Sequence, residues 1–256
     1  MPRAFSIAAI CFAACGVVTA ADASSSPQGD TWESIKKLPD WSGVWIRYHG
    51  PLKELPAGSQ AAANVRATGG DDQVSFTPHY ARIALQAVQQ HDQENLSYCL
   101  PAGTPGIMQH SVLYEYVFTP GRVTILFEDG EVRRIYTNRR SHLPLTQLGD
   151  SYMGDSIGHW EGATLVVDTV GFPRGSLFEN YGVTATLGSH LVERIFRKDA
   201  GDMEIDNVLT DPKIFAKPYR FSRIYHLAPL PISEPACAQY NRDTGTTIDL
   251  TPPPEE

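Results

Sequence analysis

Apolar and polar residues alternate with period two through most of the second half of the chain, the pattern of half-buried β-strands. Arg122 to Phe127 and Val132 to Thr137 flank Glu128-Asp129-Gly130-Glu131, and an Asp-Gly between two β-rich runs predicts a tight hairpin. Ile157 to Trp160 and Thr164 to Val170, around Glu161-Gly162-Ala163, predict a second. Leu191 to Arg197 and Met203 to Leu209, around Asp199-Ala200-Gly201-Asp202, predict a third, and Tyr219 to Leu227 supplies a last strand. Asp40-Trp41-Ser42-Gly43-Val44-Trp45 reads as the start of a first strand. Helical spacing is strong at one place: Thr77 can cap, Pro78 suits the first helical position, and Tyr80, Ile83, Ala84, Ala87 and Val88 recur to about Gln90. A short helix within Thr31 to Leu38 puts Trp32 and Ile35 on one side, and residues 50–76 read as a long loop. No βαβ alternation is present, so the predicted fold is mainly β, an antiparallel meander closed or nearly closed into a barrel because closure removes exposed edges. One helix near residues 78–90 accompanies the strands. One domain over residues 40–250 is expected, after a polar leader at 24–39 and before a Pro-rich tail at 251–256.

Composition adds location. The 256 residues are 42% hydrophobic and 20% charged, enough to bury a core without a staple. The formal charge is −8, with no Lys/Arg run, which argues against nucleic acid and anionic membranes as partners. The first 23 residues read as an export signal: Arg3, then the apolar run Phe5 to Val18, then small-residue cleavage sites at Val18-Thr19-Ala20 and Ala21-Asp22-Ala23. That run is too short for a membrane span. The expected protein is therefore secreted or periplasmic; the alternative is a lipoprotein through Cys15, after the imperfect lipobox Phe12-Ala13-Ala14-Cys15. Cleavage removes Cys11 and Cys15 and leaves Cys99 and Cys237, a pair expected to form a disulfide in an oxidising compartment. Closing so long a loop contributes roughly 4–5 kcal/mol in the chain-entropy model. Two free buried thiols are the other possibility.

Several patterns could carry chemistry. Gly154-Asp155-Ser156-Ile157-Gly158 matches G-x-S-x-G, but a β-rich run follows it where a nucleophile elbow needs a helix. The eight histidines are scattered, and although His159-x-Glu161 and His190-x-x-Glu193 set imidazole near carboxylate, no HExxH or Cys/His cluster exists and no metal is expected. Phosphate loops and dinucleotide fingerprints are missing, so no cofactor is expected. Ionisable residues embedded in apolar strands are more informative. Asp168 shares a strand face with Val166 and Val170, Glu193 with Leu191 and Ile195, Arg194 with Val192 and Phe196, and Arg134 with Tyr136; His142 follows closely. Whichever of these faces inward brings charge into the barrel, where a desolvated carboxylate can serve as acid or base. A structural Asp/Glu–Arg pair sealing the barrel is the plainer reading.

Six stretches carry a resemblance when taken together. They are Asp40 to Trp45; Cys99-Leu100-Pro101-Ala102-Gly103-Thr104-Pro105; Arg133-Arg134-Ile135-Tyr136 with His142; Ser156-Ile157-Gly158-His159-Trp160-Glu161-Gly162 running through Thr164 to Phe172; Val192-Glu193-Arg194; and Asp211-Pro212 with Lys217-Pro218. In this order the chain resembles a large, poorly characterised family of exported bacterial proteins with an SIGxWEGDTLVVDTxGF signature, over nearly its whole mature length. The resemblance implies a lipocalin-like β-barrel and no settled activity. The chain departs from that pattern at Asp155, where His is usual, at Leu143, where Pro is usual, and in Gly182 to Leu187, which lacks the customary His-Ser.

Two functional readings follow. In the first, the barrel binds a small apolar or aromatic molecule in its lumen. In the second, a cofactor-free enzyme of lyase, isomerase, decarboxylase or hydrolase type works in the same cavity, with Asp168 or Glu193 as base, His142 or Tyr136 as acid, and Arg134 or Arg194 anchoring an anionic group.

Overall fold

The computed structural model describes residues 29–47, 74–90, 101–175, 177 and 183–233. The export signal, Cys15, Cys99, Cys237 and the Pro-rich tail lie outside the described residues. Nine strands close into a barrel in sequence order: β1 (Val44–Ile46), β2 (Tyr114–Thr119), β3 (Arg122–Phe127), β4 (Val132–Tyr136), β5 (Asp155–Glu161), β6 (Thr164–Val170), β7 (His190–Arg197), β8 (Asp202–Thr210) and β9 (Tyr219–Ala228), with β9 pairing back onto β1. The three predicted hairpins are β3–β4, β5–β6 and β7–β8. The mainly β barrel read from the sequence is the fold observed. One joint differs from a pure meander: β4 and β5 run parallel, Ile135 opposite Ser156, so residues 137–154 cross back along the barrel before β5 begins. That crossover carries the one-turn helix α3 (Leu145–Leu148). The other helices are α1 (Trp32–Ile35), with Thr31 and Ser34 forming a reciprocal capping box, and α2 (Pro78–Gln90). Among the described residues no helix is long and apolar enough to cross a membrane.

Alternation puts one face of each strand inside, and the interior is layered. Toward the α1 end lies a cluster of Trp41, Trp45, Tyr114, Tyr116, Ile125, Trp160, Leu165, Ile195 and Tyr225, among others. Toward the other end Phe172, Leu191, Leu209, Phe215 and Phe221 pack together, covered by Tyr80, Ile83 and Ala84 of α2. Between them runs a polar belt of inward-facing residues: Arg133, Ser156, Thr169, Glu193 and Asn207. Ala102 to Gln109 is buried throughout, and Met108 presents its carbonyl to the Tyr225 hydroxyl, so this segment packs against the inner face of β9.

Candidate functional site

The belt centres on an ion pair. Strand β4 points Arg133 inward and β7 points Glu193 inward, and both side chains are 0% exposed. Arg133 Nη1 donates to Glu193 Oε1 at 2.9 Å and Nη2 donates to Glu193 Oε2, a bidentate fork. The same Nη2 reaches Thr169 Oγ1 at 3.0 Å, and Ser156 Oγ lies 2.9 Å from Thr169 Oγ1. Ser156 therefore sits inside a strand as part of this network, with no imidazole beside it, and is no exposed nucleophile. Glu193 lies in the lumen as one of the two faces allowed, but the guanidinium that meets it belongs to Arg133. Arg134 is on the outer face, exposed. Arg194 is outside as well, with its Nη1 donating to Glu161 Oε2 at 2.9 Å. That contact, with His159 on the other side, holds Glu161 below the usual carboxylate range. His190 and Glu193, neighbours in sequence, project to opposite sides of β7.

Asp168 also faces outward, with Val166 and Val170, and it meets His142 there. Asp168 Oδ1 lies 2.9 Å from His142 Nε2 and 2.8 Å from His190 Nε2. The other nitrogen of His142, Nδ1, lies 2.9 Å from Asp155 Oδ2. Asp155 is buried at the start of β5; it pairs with Arg140 and accepts the Leu143 N–H at 3.0 Å. Burial pushes its carboxyl up, but the Arg140, His142 and Leu143 hydrogen bonds outweigh this and hold it below the usual range. Tyr136 joins at one remove, its ring under the Arg140 guanidinium at 4.1 Å. Of the sequence candidates, His142, Asp168 and Tyr136 thus gather on the outer surface of β4–β6, Glu193 is inside, and Arg134 and Arg194 stand apart. Asp155 and His190 complete the outer chain; sequence reasoning weighed His190 only beside Glu193 as a metal ligand, and noted Asp155 only as a departure from the resembled pattern. Among the described residues no group of three or more His, Cys, Asp or Glu is arranged to hold a metal.

A third assembly lies at the α1 end of the lumen. Trp41 stands on the approach to β1, Tyr116 and Phe118 on the inner face of β2, and Trp160 near the end of β5. Trp41 lies 4.9 Å from Tyr116, 5.5 Å from Phe118 and 5.1 Å from Trp160, ring centre to ring centre. These are edge-on or tilted contacts, the favourable arrangement for π quadrupoles. A cleft of about 340 Å³ opens over them, lined by Ile35, Leu38 and Pro39 with Trp41, Tyr116 and Phe118, and rimmed by Lys36, Asp40 and Ser42. Its volume lies in the range of small-molecule sites, roughly 300–1,000 Å³. Two buried donors of this cluster, Trp41 Nε1–H and Trp160 Nε1–H, have no hydrogen-bond partner, while the Tyr114 and Tyr116 hydroxyls act on each other through a side-chain hydrogen bond. Each such orphan costs about 1–3 kcal/mol. Burial raises both Tyr114 and Tyr116 far above the ordinary phenol range, so both stay protonated. No sequence signal short of the packed structure could have singled out this cluster, because strand aromatics are usually core.

Compared with protein-family models, with curated proteins and with solved structures, the chain gives no match, and its site is read from its own geometry.

Proposed function

We propose that this protein is an exported binding barrel that takes a small aromatic or apolar molecule at the mouth of its lumen. The observation that carries the proposal is the cleft of about 340 Å³ over Trp41, Tyr116 and Phe118, walled by Ile35, Leu38 and Pro39. Ring faces and edges there suit an aromatic guest, and Ile35 of α1 with Leu38 just after it supplies the outer wall. The test is a titration of tryptophan fluorescence with a plain aromatic hydrocarbon such as naphthalene. Saturable quenching that Phe118→Ser weakens is expected. Quenching that rises linearly, as for free tryptophan in solution, refutes the reading.

The N-terminal pattern and the Cys99/Cys237 pair support export and a disulfide in the same reading, as does the resemblance to the SIGxWEGDTLVVDTxGF family. Intact mass of the mature protein, with and without reductant, reads both the cleavage point and the bond. A second reading, cofactor-free acid–base chemistry, draws on the Asp155–His142–Asp168–His190 chain. This chain lies outside the barrel, whereas Glu193 in the lumen is neutralised by Arg133, so any such reaction would occur at the outer surface. Its test is turnover of the bound compound by the wild-type protein and by Asp168→Asn.

A further inference from the structure

We propose that residues 30–39 form a lid over the cleft, which lifts to admit the guest and closes over it as the outer wall. This rests on the binding reading above and adds how the site is entered. The segment leaves the barrel at Gly29 and rejoins it at Asp40 and Trp41. Gly29 and Trp41 are buried, and no residue between them is. Each end is fastened by one hydrogen bond: the Gly121 N–H donates to the Gly29 carbonyl at 2.8 Å, and Arg197 Nη1 donates to the Asp40 carbonyl at 2.7 Å. The two ends lie close together, since a Cβ on Gly29 would stand 3.1 Å from Leu38 Cδ1. A short surface segment with neighbouring ends is an Ω-loop, a form often put to functional use. Gly29 itself has a φ of +67°, which glycine adopts without strain and which suits a pivot.

Between those fastenings the segment bonds only to itself. Thr31 and Ser34 cap α1 reciprocally, and Lys36 pairs with Glu33. The N–H groups of Ile35, Lys37 and Leu38 donate to the carbonyls of Thr31, Ser34 and Ile35. Among the described residues no hydrogen bond or ion pair joins residues 30–39 to the barrel. The lid therefore lifts with its internal bonds intact and strips no buried polar group of its partner. What holds it down is apolar: Leu38 packs on the aromatic cluster, and Ile35 lines the cleft. Both side chains are half-buried, so lifting returns little apolar area to water and leaves a minor open population within reach. The lid also owns much of the site. Four of the nine residues lining the cleft, Ile35, Lys36, Leu38 and Pro39, belong to it, whereas the rings of Trp41, Tyr116 and Phe118 stay with the barrel. Lifting thus bares the aromatic floor without disturbing it.

The experiment measures naphthalene association and dissociation rates by stopped-flow tryptophan fluorescence, on the intact protein and on Leu38→Ala. Ile35→Ala takes its place should Leu38→Ala not fold. Loosening the apolar hold raises the open population, and a guest that must wait for opening then both enters and leaves sooner. Association and dissociation should each quicken about fivefold, the effect of losing half a leucine's burial, and Kd should change less than either rate. A side chain that merely touches the guest acts differently, because its loss speeds dissociation and leaves association alone. An association rate that is unchanged or slower in the variant would therefore overturn the lid while leaving the binding site standing. Failure of naphthalene to quench the wild-type protein saturably would instead remove the binding reading on which the lid rests.

Discussion

Replacing Glu193 by Gln changes three atoms' worth of chemistry at the centre of the barrel, and its effect can be worked from the contacts. Wild-type Glu193 accepts two parallel N–H bonds from Arg133, with both groups fully excluded from water. Gln keeps one acceptor oxygen but turns an NH2 group toward the guanidinium, so one fork arm becomes donor against donor. The arginine charge, with only Ser156 and Thr169 hydroxyls for company, is then buried without a counter-charge. Breaking such a pair from one side costs about 3–5 kcal/mol. For a domain of this size that is a fall in Tm of roughly 6–20 °C. Removing both partners is different. In Arg133→Met/Glu193→Leu no charge remains, and Ser156 and Thr169 still satisfy each other at 2.9 Å. The double variant should recover most of the loss, since apolar groups of similar volume commonly match a buried pair. Urea unfolding with linear extrapolation, on wild type, both single variants and the double, gives the coupling energy directly. A Glu193→Gln loss under 1 kcal/mol, or a double variant no better than the single, would refute the reasoning.

Other predictions concern other parts of the barrel. Burial raises Glu131 to about 7 from 4.5, so between those values the folded chain holds a proton that the unfolded chain has released. Stability present below the unfolded pKa is therefore lost as pH rises toward 7, by up to about 3 kcal/mol, and Glu131→Gln should remove that slope in urea midpoints taken at pH 4 and pH 8. Asp155→Ala should free the crossover at 138–149, which Asp155 ties down through Arg140, His142 and the Leu143 N–H; faster hydrogen exchange confined to that segment is the readout. Asp155 contributes stability above its unfolded pKa that is lost as pH falls through the lower folded value, so this variant should differ least from wild type in acid. Gly154→Ala should cost about 2 kcal/mol or more in thermal unfolding, because its φ is +69° and a Cβ would meet the Val170 carbonyl oxygen at 2.5 Å.

The strands were legible because turns and alternation agreed. Asp129-Gly130 and Gly201-Asp202 sit where the chain reverses, and the runs beside them alternate strictly, as in Met203, Ile205, Asn207 and Leu209 on the inner face of β8. The direction of a face was harder to read where both faces carry apolar groups. Val132, Arg133, Arg134, Ile135 and Tyr136 offer Ile135 on one side and Val132 with Tyr136 on the other, and only pairing with β3 and β5 decides that Ile135, hence Arg133, goes in. Tyr136 misleads because its ring finds its partner outside, under Arg140. The parallel joint left no local trace, since it depends on how a crossover folds back rather than on any turn signal. The contacts of His142 with Asp155 and Asp168 are the consequence of that crossover, and could not be assembled from spacing. The orphan donors at the mouth are a property of packing alone.

The most direct test of the central claim follows the indole N–H signals of the four tryptophans in a nitrogen-15 spectrum as naphthalene is added. Trp41 and Trp160 line or back the cleft with their N–H groups unpartnered, Trp45 donates to the Trp41 carbonyl at 3.1 Å, and Trp32 is largely exposed on α1. The account predicts saturable shifts at Trp41 and Trp160, a smaller one at Trp45 and none at Trp32. Shifts that move all four together without saturating, or that spare Trp41 and Trp160, would contradict it.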